Sequence, residues 1–156
     1  MLAAILFENI NFDGYVYTVN EGDHTSVIPP PMGSGDGQAS SMKVYSSQWI
    51  TFWESPNFDE GDDSLWIEPA GVGFFWSIPN LHTLGRPHGT NHWGDRIRGV
   101  SFSGPPTGSN ENRTIIHQDG TVTIGNSLLT AQEAQTRFGF ALRPVSLNST
   151  LVPPSR

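Results

Sequence analysis

His82, His88 and His92 lie in one stretch, six and four residues apart. Imidazole nitrogens suit zinc or copper, so this spacing raises a transition-metal site. The chain has no cysteine, and no carboxylate stands in a fixed motif with these histidines, so solvated loop histidines are the plainer expectation. Asp59, Glu60, Asp62 and Asp63 crowd a single turn. Glycoside hydrolysis needs two carboxyls held across a cleft. One turn does not provide that, and an exposed acidic turn is expected. Trp76, Trp93 and His92 offer a stacking platform for carbohydrate, although tryptophans in a sandwich are more often core. The sequence carries no Gly-rich phosphate loop, no nucleophile elbow and no recognisable triad, so no enzyme is expected.

The bulk composition narrows the partners. Eight basic and 15 acidic residues give a net charge of −7. Nucleic acid is disfavoured, because phosphate contacts need a positive patch; cations, or no charged partner, are better candidates. Without cysteine there is no disulfide and no thiolate chemistry. No apolar run approaches membrane-spanning length. The opening MLAAILFEN is short, lacks a basic flank and runs straight into the first structural unit, so it is not read as a signal peptide. The expectation is a soluble, cytoplasmic protein with no membrane partner. The sequons at Asn112 and Asn148 are then accidental.

With 17 Gly, 12 Pro and few charges, the chain should form many short strands rather than long helices. Alternation and β-branched or aromatic content predict strands at 3–9, 14–20, 25–28 and 42–45. The order returns at 49–55, 64–68, 72–76 and 97–102, with a long loop over 77–94. Two four-stranded units, each with a long connection before its last strand, make a pair of Greek keys packed as a sandwich. The all-β domain would cover 1–104, with Greek keys at 1–46 and 47–104. Ser103 to Ser109 reads as a linker. In the extension 105–156, residues 114–124 form a hairpin around Asp119-Gly120. Thr130-Ala131-Gln132-Glu133 is a capping box that opens a short helix to about Arg137. Such an extension docks on the sandwich or on a second subunit. Pairing of 114–124 with another protomer would make an oligomer.

The repeat is also visible residue by residue. Phe7, Phe12 and Gly14 recur about 46 residues later as Trp53, Phe58 and, one position late, Gly61. Five residues is an odd step, so one strand could not put both rings on one face. The strand must fold over before the second ring. This aromatic-x4-aromatic-x-Gly hairpin, in two copies over residues 1–104, resembles the βγ-crystallin superfamily. Its single-domain microbial and fungal members are the nearer likeness. A second family hallmark, Asn/Asp-Asn/Asp-x-x-Ser/Thr-Ser, is matched well by Asp36-Gly37-Gln38-Ala39-Ser40-Ser41. Gly94-Asp95-Arg96-Ile97-Arg98-Gly99 keeps only Asp95 among the polar positions. In place of the second glycine stands Glu60, so a bulge or strained turn is expected there.

The resemblance implies a stable structural, storage or stress-protective protein and at most one weak Ca²⁺ site. That site would use the Ser40 hydroxyl, the Asp95 carboxylate and the Glu8 and Arg96 carbonyls, completed by water. The mirror site would need Gly37, the Gln38 and Glu54 carbonyls and the residue at Arg98. Gly37 has no side-chain oxygen and Arg98 is a permanent cation. The second site is therefore expected to be disabled, and the further expectation is that the Arg98 guanidinium replaces the ion and donates to the same carbonyls or to Asp36. The alternative is a carbohydrate- or protein-binding module that uses loop 77–94 or the extension.

Overall fold

A computed structural model describes residues 1–21, 25–29, 38–88, 92–102 and 104–145. Eight strands follow the two predicted units. They are β1 (Leu2–Asn9), β2 (Asp13–Asn20), β3 (Thr25–Val27), β4 (Ser41–Val44), β5 (Ile50–Trp53), β6 (Ser64–Ile67), β7 (Phe74–Ile78) and β8 (Gly99–Ser101). The third strand of each unit leaves its own sheet: β3 pairs with β8, and β7 pairs with β4. This exchange ties the two units together through backbone hydrogen bonds. Ala4, Leu6, Met42, Val44, Trp76 and Ile78 from one sheet share a buried core with Ile50, Phe52, Leu65, Ile67 and Val100 from the other. The architecture is the expected all-β, two-sheet one.

Two departures have local causes. β7 begins at Phe74, two residues later than predicted, because Gly71 and Gly73 take positive φ and Phe74 N–H closes a turn onto the Gly71 carbonyl. β5 and β6 are buried on both faces rather than one. The outer face of their sheet carries a second cluster of Trp53, Trp66 and Ile115, with Trp49 and Phe58 packed against it.

The extension completes both sheets. β9 (Arg113–Ile116), β10 (Val122–Ile124) and β11 (Ser127–Leu129) follow one another, and β9 lies parallel to β6. The predicted hairpin is β9–β10, with Gly120 at φ 89° in its turn. Helix α1 (Ala131–Phe138) opens as the capping box requires: Glu133 N–H donates to Thr130 Oγ1, and Thr130 N–H to the Glu133 carboxylate. Gly139 ends it at φ 71°. Phe140 then packs edge-on against Trp76 at 5.7 Å, and β12 (Ala141–Pro144) pairs with β7. The sheets read β12-β7-β4-β1-β2 and β11-β10-β9-β6-β5-β8-β3. Both sides of β9 are taken by β6 and β10 of its own chain, so pairing of residues 114–116 with another protomer has no free edge. No helix among the described residues is long and apolar enough to cross a membrane.

Candidate functional site

The folded-over hairpin between β1 and β2 forms one wall of the site. Asn11 and Phe12 both sit at positive φ, so the chain reverses sharply and the Phe12 ring meets Phe7 edge-on at 5.5 Å. Ser41 holds the fold-over shut: its hydroxyl donates to the Asn9 carbonyl (2.7 Å) and accepts from Phe12 N–H (3.0 Å). In the second unit Phe58, again at positive φ, meets Trp53 at 6.2 Å. Here the left-handed residue is Phe58 and not Gly61. Asp59 caps Gly61 N–H instead. The position corresponding to Ser41 is Gly99, and the Phe58 ring fills its space, 2.8 Å from where a Cβ would stand.

Ser40 immediately precedes the Ser41 clamp. Its N–H donates to the Phe7 carbonyl, while its carbonyl accepts from Leu81 N–H in the long loop. Asp95, at φ 61°, donates its N–H to the Ala39 carbonyl at 2.9 Å. These bonds bring the two segments side by side, and Ser40 Oγ donates to Asp95 Oδ1 at 3.3 Å. Glu8 follows Phe7 at a register shift in β1, its carboxylate accepting from Tyr15 N–H; Arg96 follows Asp95. Ser40 is buried and Asp95 exposed, so the pair opens outward.

A third side chain joins them. His82 Nε2 lies 2.9 Å from Ser40 Oγ. Its ring rests against Gly94, where any Cβ would collide with it, and Asn80 Oδ1 accepts the His82 N–H. The His92 ring lies 4.8 Å away. Burial, then His82 and Arg96, lowers the His92 pKa, against the opposing pull of Asp95. The expectation of solvated loop histidines fails for His82 and His92, which are both half-buried in the site. The sequence signal available was the Gly at 94, whose missing side chain makes room for a ring. Among the described residues no group of three or more His, Asp or Glu side chains is placed to hold a metal. Ser40 and His82 also do not make a catalytic relay. The carboxylate lies on the hydroxyl, whereas a triad places it on the far imidazole nitrogen.

Around Glu54 the neighbouring side chains are cationic. Arg98 Nη1 donates to the Glu54 carbonyl at 3.0 Å. The Glu54 carboxylate faces Arg86 at 2.6 Å and Arg96 at 3.8 Å. Arg86 also reaches Asp63 at 3.4 Å, and His88 meets Asp63 at 2.5 Å. Asp63 is therefore no part of an exposed acidic turn; it is 2% exposed. Burial raises its pKa, against the pull of His88 and Arg86. Gln38 is half-buried nearby in sequence, while Gly37 and Asp36 lie outside the described residues. The carbohydrate platform is not there: Trp76 and Trp93 are core, their indole N–H groups bonded to the Glu68 carbonyl and Thr114 Oγ1.

No family model and no curated protein matches the chain. Among solved structures it is similar to a beta gamma crystallin from Ciona intestinalis, with 22% identity over 64% of this chain and 98% of that one, at a TM-score of 0.44.

Proposed function

We propose that this protein is a βγ-crystallin-type structural or stress-protective protein, without enzymatic turnover, that holds one Ca²⁺ weakly between its two units. The observation that carries this reading is the 3.3 Å approach of Ser40, from the first unit, to Asp95, from the second. Ca²⁺ takes six to eight hard oxygens. Ser40, Asp95, the Glu8 and Arg96 carbonyls and water form such a set. His82 adds a feature of its own: it gives the Ser40 proton another acceptor, leaving the hydroxyl lone pairs and the Asp95 oxygens for a cation. With a single carboxylate, the dissociation constant should be on the order of 10⁻⁵–10⁻³ M. At the mirror position the reading is that the Arg98 guanidinium replaces the ion on the Glu54 carbonyl, a charge-assisted bond.

Calorimetric titration of chelator-stripped protein with Ca²⁺ tests the first part. One site per chain is expected, abolished by Asp95→Ala; no heat, or two sites, defeats the reading. For the mirror position, Arg98→Ser should lower the melting temperature. Unchanged stability with no added ion bound would remove the idea of an ion substitute.

A further inference from the structure

We infer that two copies of this chain pair through the outer edge of β2, joining their sheets into one. β2 is an edge strand eight residues long, DGYVYTVN, and pairs only with β1 among the described strands. It contains no Lys, Arg or Pro, the residues that commonly protect such an edge. Two of the exposed large apolar side chains sit on it: Tyr15 is 61% and Val16 50% exposed.

The ladder shows which groups face outward. The Ala3 and Phe7 carbonyls both accept bonds from the β4 side. Backbone groups alternate along a strand, so Ala4 and Leu6 face β2. Their partners Val19 and Tyr17 face back, which turns the N–H and C=O of Val16 and Thr18 outward.

A two-fold pair puts the same strand on both sides, antiparallel. Opposed residues must turn their backbone groups the same way, so the axis passes through a residue and not between two. An axis at Tyr17 would set Glu21 against Asp13, two like charges. One at Thr18 would set Val16 against Asn20. An axis at Val16 sets Val16 against Val16 and Asp13 against Val19, so no like charges are opposed. It also lays Tyr15 of each copy beside Tyr17 of the other, on the face where Tyr17 packs against the core. Aromatic and β-branched cross-strand pairs of this kind are favourable. This register alone pairs both exposed side chains with apolar partners. The occupant is a second copy of this chain.

Sedimentation velocity of the full chain over a concentration series is the test. The wild type should show a monomer–dimer equilibrium. Val16→Lys would oppose two ammonium groups at the axis and raise the dissociation constant at least about tenfold. Thr18→Pro removes an outward N–H while sparing the bonds to β1, and should weaken the dimer in the same direction. Circular dichroism of both variants separates lost pairing from lost folding. A wild-type monomer throughout the series, or a dimer that folded Val16→Lys and Thr18→Pro both retain, overturns the inference.

Discussion

Asp63 is a carboxylate held in the protein interior by one guanidinium and one imidazole. Its raised pKa makes the native state bind a proton more readily than the unfolded chain does. Its contribution to stability is complete below the ordinary carboxylate range and is lost as pH rises through the raised value. Asp63→Asn removes that titration. The stability of the wild type relative to Asp63→Asn should therefore increase as pH falls, measured by denaturant melts across the acid range; a gap that ignores pH would refute this. At this scale the sequence is partly readable. Ser40 and Asp95 stand at fixed places in a repeated segment, so their types and order suffice to find them. His82 and Arg86 belong to no motif. They reach Ser40 and Glu54 only because the long loop folds back across both units, a relation that linear spacing does not record.

The two folded-over hairpins have the same outline and different fastenings. The first depends on a hydroxyl, the second on a ring lying where Gly99 has no side chain. Ser41→Ala leaves a half-buried Phe12 N–H and the Asn9 carbonyl without the hydroxyl, and should cost about 1 kcal/mol in denaturant melts. A change within a few tenths would mean that ring packing alone holds the turn. Aromatic spacing and alternation make β1 to β8 legible, and the capping box marks α1. β11 and β12 escape notice because three or four mostly exposed residues carry no period. The parallel β6–β9 pairing is also hidden, since Arg113-Thr114-Ile115-Ile116 reads as half of a hairpin whatever lies on its other side.

For the molecule as a whole, the extension and the repeated units should share one stability. β9 covers the edge of β6, Thr114 accepts the Trp93 indole N–H, and Phe140 closes over Trp76. A chain ending at Gly104 should lose these together, showing a much lower melting temperature and exposed tryptophan fluorescence. A truncated chain with an unchanged melt would make the extension an appendage. The strand exchange also governs time. Thr25 must find Ser101, and Val44 must find Trp76, before either sheet is whole. Such distant pairings make folding slow, because chain entropy is lost long before contacts repay it. In the reverse direction, neither sheet can peel away while the other still grips its borrowed strand. The persistence of this protein should then be governed by its unfolding rate and be best expressed as a native-state half-life.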